Sequence, residues 1–424
     1  MKRSIVLMMM LALIPLPAFA QNPGDSGDVI VIFRRNLSAA ERDAIVGQAG
    51  ATSRRHFGIA RASAAHAATA AARQALERHP DVLQVVPDRP MHAHVKPGAG
   101  APPPSPAQVV PTGVQRIGAP NPTFKGAGVG VAILDTGLDF NHQDLQPLGA
   151  SCFTVFASCQ DDDGHGTHVG GIVAARDNTI DVVGVAPLAT LYAAKVLDNS
   201  GTGTDSTIMA GLEWVHDHAA VLSPPIRIVN MSLGRAGTLD DNPALHGAIQ
   251  TVSAAGITVV VSAGNDPNRT VSQQIPAAYP EVIAVASTTA LAGTSACRFA
   301  GAIAADTASY FTTDGAGVAV SAPGEDRENI AKACAISSVG ILSTRLGGGT
   351  TRLSGTSMSA PHVSGVAALL WEELGTVDPA TARSKLQSGA AAAGTAPLDS
   401  PSGAYSFDGV REGIVSVPGA LAAP

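Results

Sequence analysis

Residues 353–365 read LSGTSMSAPHVSG and are followed at once by an apolar run, VAALLW, at residues 366–371. The small residues favour a tight loop and the apolar run favours a buried helix, so Ser357 is predicted to lie at or just before the helix N-terminus. Unpaired backbone N–H groups and the helix dipole favour negative charge there. This environment suits a serine nucleophile, because attack on a carbonyl carbon creates an oxyanion. A serine also needs a base, and a group that orients the base.

Two further residues with the required chemistry lie far away in the chain. Asp135 ends the apolar run VGVAILD, and His165 stands between glycines in DGHGTHVGG, which continues into a helical pattern. Taken alone, each residue has a simpler interpretation, since Asp135 could cap a turn and His165 could be structural. His168 completes an H-x-x-H pair, but the i, i+4 spacing and the glutamate of a helical metal site are missing.

The chain around these residues alternates apolar runs with helical patterns. Near-continuous apolar strands separated by helices predict an α/β fold with a doubly wound, mostly parallel sheet. In such sheets, reactive groups gather at the carboxyl ends of the strands. Strands are expected at residues 129–134, 191–197, 226–231, 258–263 and 282–286, and helices at residues 169–175, 205–220 and 244–255.

The motifs DTG, HGTHVGG and GTSMSAPH, in this order, resemble those of the subtilases, the subtilisin-like serine proteases. The similarity begins at about residue 107 and continues to the C-terminus. It implies a subtilisin-like fold in which Ser357 is the nucleophile, His165 the base and later the acid, and Asp135 the group that orients the imidazole. The resemblance selects His165 over His168, which would have a supporting role.

The resemblance also implies an oxyanion hole and a substrate groove. Asn265, in the segment SAGN, matches the asparagine whose amide acts with the backbone N–H of the serine, although an ordinary turn is the alternative interpretation. Arg235 replaces the small residue often found beside the groove, and Asp266 would favour a basic substrate side chain. Substrate would bind as an added strand between two edges. These edges are matched by Gly201, Thr202 and Gly203, and by Ser232, Leu233 and Gly234.

A calcium site is implied by the resemblance in the same way. By spacing alone, the residues concerned would form a solvated polar loop. Ligation by oxygen atoms only is typical of Ca²⁺. The implied ligands are the side chains of Gln108, Asp144 and Asn178 and the backbone carbonyls of Arg176, Ile180 and Val182.

The first residues of the chain predict export. Residues 1–20 have the charged start, the apolar centre and the Ala-Phe-Ala end of a secretory signal peptide. The apolar run is too short to span a bilayer comfortably, which makes a membrane anchor the weaker interpretation. We therefore expect a secreted protein, extracellular or periplasmic.

A small α+β module is expected at residues 21–95. Strands are predicted at residues 28–33 and 82–86, and helices from the capping box of Ser38 and Glu41 to about Gly47 and over residues 61–78. The module resembles the inhibitory propeptide of the family, which implies that it acts as an intramolecular inhibitor. A Pro/Gly linker at residues 96–106 is a plausible processing region. The peptidase domain would then cover residues 107–424.

Export makes the cysteine count informative. Four cysteines allow three connectivities, and proximity in sequence favours Cys152–Cys159 and Cys297–Cys334. The second pair would staple residues 325–340, which we interpret as a surface insertion. A zinc site is disfavoured because C-x-x-C pairs are missing.

Charge is distributed unevenly along the chain. Residues 21–106 contain 10 Lys and Arg against 7 Asp and Glu, whereas the remainder to the C-terminus contains 15 against 27. The acidic body disfavours nucleic acid and anionic membranes as partners. A basic leader could dock on it, although solvated faces explain such patterns equally well.

Together, these features predict a calcium-stabilised, monomeric serine endopeptidase that acts on proteins and peptides and is made as an autoprocessed preproenzyme. Two alternatives stay open. One is a catalytically silent binding protein on the same fold, and the other is an esterase or transacylase that uses the same triad.

Overall fold

The computed structural model describes residues 27–97, 107–145, 153–154, 156, 158–392, 397–401, 406–410 and 412–424. The predicted signal peptide, most of the predicted linker and Cys152, half of the expected Cys152–Cys159 pair, lie outside these residues. Within the described ranges, none of the helices combines the length and the apolar character needed to cross a membrane.

The N-terminal module is an antiparallel sheet with two helices on one face. Its strand order is β2-β3-β1-β4. Side chains alternate along a strand, so Val29, Val31 and Phe33 of the first strand pack against the helices, while Ile30 and Ile32 face the rest of the protein. The elements are β1 (Asp28–Phe33), α1 (Ala39–Gln48), β2 (Thr52–Phe57), β3 (Ala62–His66), α2 (Ala70–Arg78) and β4 (Val82–Pro87).

The prediction of one helix over residues 61–78 is wrong. Ala62–His66 is a strand that pairs with both β1 and β2, and the helix begins only after Thr69, whose side chain accepts a hydrogen bond from the backbone N–H of Ala72. Alanine has a high intrinsic helix propensity. Its small side chain also fits in a strand whose face is covered by other elements, so pairing with the neighbouring strands overrides that propensity here. The capping box of Ser38 and Glu41 is confirmed.

The tail of the module and the segments after it contain sixteen strands and seven helices within the described residues. The strands are β5 (Pro90–Ala93), β6 (Lys96–Pro97), β7 (Gly130–Asp135), β8 (Phe153–Thr154), β9 (Thr190–Lys195), β10 (Thr202–Thr204), β11 (Ile226–Met231), β12 (Leu233–Ala236), β13 (Thr258–Ser262), β14 (Gln274–Ile275), β15 (Ile283–Thr289), β16 (Val318–Glu325), β17 (Glu328–Ile330), β18 (Ile336–Ser338), β19 (Ile341–Thr344) and β20 (Thr350–Ser354), of which β5 and β6 belong to the tail of the N-terminal module. The helices are α3 (Thr112–Arg116), α4 (His165–Ala174), α5 (Asp205–His218), α6 (Pro243–Ala254), α7 (Thr356–Leu374), α8 (Pro379–Ala392) and α9 (Val417–Ala422).

A doubly wound parallel sheet forms the centre of the protein, as predicted. Seven strands lie in the order β16-β15-β13-β11-β7-β9-β8, and all their pairings are parallel. Val131 and Ile133 of β7 pack with α4 and α7 on one face, whereas Ala132 and Leu134 pack with α5 and α6 on the other. The chain runs from β7 to β9 on one side and then crosses to β11 on the other. The end of β7 therefore lies at a switch point of the topology, where ligands bind in such folds.

Two small sheets form a groove beside the carboxyl ends of the central strands. In the first sheet, β5 lies antiparallel between β10 and β12. In the second, β6 pairs with β20, the strand that precedes α7. Lys96 and Pro97, assigned to the linker from sequence, therefore form a strand in the groove.

The module also contacts the body outside the groove. Ile30, Ile32 and Phe57 belong to the same buried cluster as α5 and α6. Arg55 pairs with Glu213 at 3.2 Å, and Asp88 accepts hydrogen bonds from the backbone N–H and the hydroxyl of Ser206 at 2.9 and 2.6 Å. The contact thus combines apolar burial with charged contacts.

The disulfide Cys297–Cys334 is present, as predicted. It ties the hairpin of β17 and β18 to an earlier loop. The interpretation of the whole insertion as surface is wrong, because Glu325, Asp326 and Glu328 are buried. Burial raises the pKa of Glu328 to about 8.

Arg235 supports the groove instead of facing substrate. Its guanidinium makes a bidentate contact with Asp205 at 2.8 and 2.6 Å and also contacts Asp241. Asp205 is fully buried, and the side-chain amide of Asn242 donates to it at 2.8 Å. Because Asp205 begins α5 and Arg235 lies in β12, this ion pair fastens one groove edge to the body.

We predict that Arg235→Ala lowers the free energy of unfolding by about 3–5 kcal/mol, since it leaves the buried carboxylate of Asp205 without its cation. Urea denaturation in a Ser357→Ala background would measure this without autolysis. Arg269→Ala is the matched control: its partner Asp266, 2.9 Å away, is partly exposed, so that loss should stay below about 1 kcal/mol. Equal effects of the two substitutions would contradict a structural role for Arg235.

Candidate active site

The predicted catalytic side chains lie at the ends of three different elements. Asp135 is the last residue of β7, His165 the first of α4 and Ser357 the second of α7. Asn265 follows β13 by three residues. Asp135 and Ser357 are fully buried and His165 is 2% exposed.

The structure brings His165 into direct contact with Asp135. Nδ1 of His165 lies 2.7 Å from Oδ1 of Asp135. Burial lowers the pKa of His165, but the charge of Asp135 and its hydrogen bond outweigh burial, so the pKa is raised overall. A proton on Nδ1 leaves Nε2 as the basic nitrogen, and Nε2 has no hydrogen-bond partner among the described residues.

The hydroxyl of Ser357 makes no hydrogen bond to His165 in the described part of this structure. It donates a hydrogen bond of 2.9 Å to the backbone carbonyl of Ser232. The expected hydrogen bond between hydroxyl and imidazole is therefore not formed here. Catalytic hydrogen bonds are commonly loose before substrate binds and tighten during the reaction.

His168 has a structural position. Its Nε2 contacts the backbone carbonyl of Ile341 at 3.1 Å, and burial lowers its pKa to about 3. The two histidines thus make separate contacts, His165 with the carboxylate of Asp135 and His168 with the backbone of β19.

Asp161 organises the loop around His165, and sequence reasoning missed it. One carboxylate oxygen accepts hydrogen bonds from the hydroxyl of Thr136 and the backbone N–H of Gly164 at 2.8 and 2.9 Å. The other accepts from the backbone N–H and the hydroxyl of Thr167 at 2.9 and 2.5 Å. The residue links the end of β7 to the start of α4. The acidic run at residues 161–163, directly before the glycine and His165, is the sequence signal that could have pointed to it.

Asn265 and the backbone N–H of Ser357 lie beside one carbonyl group. Oδ1 of Asn265 accepts from the backbone N–H and the hydroxyl of Thr356, both at 3.0 Å, and Nδ2 is buried with no partner among the described residues. The N–H of Ser357 donates to the carbonyl of His94 at 3.3 Å. Gly355 has a φ of 148°, and a Cβ there would lie 2.2 Å from that carbonyl oxygen and 3.0 Å from Nδ2 of Asn265. Only glycine leaves the carbonyl this space.

The predicted groove edges are occupied by the tail of the N-terminal module. Residues 202–204 pair with β5 on one side, and residues 233–234 pair with it on the other. The backbone N–H of Ala93 donates to the carbonyl of Gly201 at 3.0 Å, and that of His94 donates to the carbonyl of Ser232 at 3.2 Å. The groove thus holds an extended peptide by its backbone.

The residues expected to bind calcium also come together. The side-chain amide of Gln108 contacts the carbonyls of Arg176 and Val182 at 2.5 and 2.9 Å and Oδ1 of Asn178 at 3.3 Å. Buried Asp144 accepts from the side-chain amide of Asn178 at 2.8 Å and from the backbone N–H of Val182 at 3.0 Å. No contact in the described residues brings the carbonyl of Ile180 into the group, and no cluster of three or more Asp, Glu, His or Cys residues suited to a metal occurs there.

Comparison with known proteins agrees with this geometry. Residues 126–404 match the sequence model of the Subtilase family. The chain is 38% identical over 289 residues to Subtilisin DY of Bacillus licheniformis, covering 66% of this chain and 92% of that protein. It is 32% identical over 369 residues to Subtilisin E of Bacillus subtilis (strain 168), covering 85% and 84%.

Solved structures show the same fold. A cold adapted subtilisin-like serine proteinase superposes with a TM-score of 0.55 at 28% identity, covering 73% of this chain and 98% of that one. Fervidolysin from Fervidobacterium pennivorans, a keratinolytic enzyme related to subtilisin, superposes with a TM-score of 0.68 at 22% identity, covering 96% and 62%. At that identity the likeness concerns the fold alone. From the family match and the subtilisin relatives, the chain belongs to the subtilase family and is a serine endopeptidase.

Proposed function

We propose that this endopeptidase is exported and made as a precursor, and that it cleaves peptide bonds through an acyl-enzyme on Ser357. The observation that carries the proposal is the position of His94. Its carbonyl accepts a hydrogen bond from the N–H of Ser357, while the chain before it is paired with both groove edges. A peptide is thus held in the manner of a substrate.

The proposed reaction assigns one role to each polar group. The hydroxyl of Ser357 turns from the carbonyl of Ser232 towards Nε2 of His165, which takes its proton as the oxygen attacks the scissile carbonyl carbon. Asp135 stabilises the resulting imidazolium. The N–H of Ser357 and Nδ2 of Asn265 donate to the oxyanion. His165 then passes the proton to the leaving amine, and water releases the acyl group by the reverse sequence.

The N-terminal module is proposed to be an inhibitory propeptide. We assign residues 1–20 to a signal peptide, residues 21–95 to the propeptide, residues 96–106 to a linker and residues 107–424 to the peptidase domain. The apolar and charged docking contacts, together with the occupied groove, support this role. We expect the mature enzyme to act as a secreted monomer, extracellular or periplasmic, on protein and peptide substrates.

We predict that Ser357→Ala abolishes both processing and proteolysis. The parent should release its N-terminal module and digest casein, whereas the variant should stay full length and inert, because the attacking oxygen is gone. Denaturing gels of purified protein and a casein assay would measure this.

The control is Ser359→Ala, which removes a buried hydroxyl on the same helix that has no hydrogen-bond partner among the described residues. It should process and digest normally. Equal proteolysis by Ser357→Ala and the parent would exclude Ser357 as the nucleophile. If the parent digested casein normally but kept its N-terminal module, this result would exclude autoprocessing and leave the role of Ser357 in proteolysis intact.

We predict that Asn265→Ala lowers kcat by ~10²–10³ with a smaller change in KM, a magnitude established on a subtilisin and carried over here. The donor acts on the oxyanion, which exists only after attack. Steady-state kinetics on a peptide anilide would measure both constants, with circular dichroism to confirm folding. A loss confined to KM would instead assign Asn265 to substrate binding.

We also propose a structural calcium ion at the loop of Gln108, Asp144 and Asn178. The oxygen and nitrogen ends of an amide have nearly the same size and shape, so turning the amide of Gln108 by half a turn would direct its oxygen at the carbonyls of Arg176 and Val182. A cation at their centre would resolve the resulting repulsion. One carboxylate, two amides and backbone carbonyls form a set of hard oxygen ligands that suits Ca²⁺, and Ile180 would complete the set.

We predict that a chelator lowers the melting temperature of the Ser357→Ala protein and that added calcium restores it. An ion present at 100 times its Kd stabilises a fold by about 2.7 kcal/mol. Differential scanning calorimetry would measure the shift. Asn178→Ala should show a smaller shift, because it removes one ligand. An unchanged melting profile, with calcium shown to be absent by elemental analysis, would overturn the site.

A further inference from the structure

We propose that this protease recognises two side chains of its substrate. One is a neutral histidine directly before the scissile bond, which Ser262 selects, and the other is a basic side chain on the second residue after that bond. In its own chain, the bond would be His94–Val95, which lies one residue before the end that the sequence assigns to the propeptide, with Lys96 as the basic residue. The inference rests on the proposed function and specifies its substrate class.

The backbone contacts define which bond lies at Ser357. Residues 91–93 pair with the two edges of the groove on the N-terminal side, and Lys96 pairs with Ser354 of β20 on the other side. The pairing therefore changes partner between His94 and Lys96. The carbonyl at this change is that of His94, which contacts the N–H of Ser357. The scissile bond in this register is the one that follows His94.

The side chain of His94 enters a pocket that matches a neutral imidazole. It is 9% exposed, and its Nδ1 lies 2.8 Å from the hydroxyl of Ser262. On another side, a Cβ on Gly234 would lie 2.6 Å from Cε1 and 3.0 Å from Nε2 of the ring, so the absence of a side chain at Gly234 makes the space. Burial, together with the neighbouring His165 and His92, lowers the pKa of His94 to about 4. The pocket thus favours the uncharged ring.

The side chain of Lys96 lies over two aromatic rings. Its Nζ is 5.2 Å from the ring centroid of Tyr310 and 5.7 Å from that of Phe311. A cation at this distance from an aromatic face is attracted by the ring quadrupole, and arginine makes the same contact. The groove therefore recognises a positive charge on the C-terminal side of the cut.

The first test is the cleavage position and the peptide preference of the parent enzyme. Mass spectrometry of the earliest processing products should find one fragment that ends at His94 and one that begins at Val95. A peptide with the sequence of residues 90–97, PMHAHVKP, should be cut at the same bond. Replacing the residue at His94 by Ala, or that at Lys96 by Ala or Glu, should lower kcat/KM.

The second test isolates Ser262. In Ser262→Ala, the ratio of kcat/KM between the His and Ala peptides should fall about 3- to 10-fold, as expected for one hydrogen bond. Cleavage of the Ala peptide should not change. The control Ser359→Ala should leave the ratio unaltered.

A third peptide, with Gln at the position of His94, serves to test the charge state of the ring through the pH dependence of the His-to-Gln ratio of kcat/KM. A free imidazole has a pKa near 6.5, so above that pH the His peptide is mostly in the uncharged form that the pocket binds. Below it, the His-to-Gln ratio of kcat/KM should fall about tenfold per unit down to about pH 4, since the pocket disfavours the protonated ring. The titration of His165 cancels in the ratio, and Ser replaces His92 in both peptides.

Several outcomes would overturn the inference while leaving the proposed function intact. These are casein digestion with a first cut elsewhere, no preference for His over Ala or for Lys over Glu, a preference unaltered in Ser262→Ala, or a His-to-Gln ratio independent of pH. Loss of casein digestion in the parent enzyme itself would instead count against the proposed function.

Discussion

The contact on which the site depends is the buried pair of Asp135 and His165, 2.7 Å apart. Burial alone would lower the pKa of the imidazole and make it a poor base. The carboxylate reverses this effect, since charge interactions are strong where water is excluded. A carboxylate buried to this degree is costly unless partnered, so the imidazole also serves the stability of the fold. Reactivity and stability therefore come from the same hydrogen bond.

The topology of the sheet makes this pair possible. Asp135 ends β7, where the chain reverses its direction of winding, and α4 begins nearby with His165. Asp161 links the two elements through hydrogen bonds to Thr136 and Thr167. Such a network restricts the loop to one arrangement, because any other arrangement would leave a buried hydrogen-bond donor without its acceptor. The helix that carries Ser357 approaches from a separate part of the chain and is held by packing in the core.

The N-terminal module and the groove share another physical principle, strand addition. β10 and β12 each offer an edge to β5, and an extended peptide pairs with such edges through its backbone, without regard to its side chains. Side chains add contacts only where the groove offers a partner, as Ser262 does for His94 and as the rings of Tyr310 and Phe311 do for Lys96. Outside the groove, the module contacts the body through the apolar face of its sheet against α5 and α6 and through polar contacts such as Arg55 with Glu213.

The sequence by itself determined the class of fold, the family and the small set of candidate residues, because apolar periodicity and short glycine-rich motifs are local signals. The helix predicted over residues 62–66 was wrong, because sheet pairing there overrides the helical preference of alanine. The role of Asp161 was not predicted. Only the tertiary structure decided that Arg235 is bound to Asp205 instead of facing substrate, and that the carbonyl at Ser357 belongs to His94. These contacts join residues far apart in the chain, and which partners meet depends on the packing of elements rather than on any local pattern.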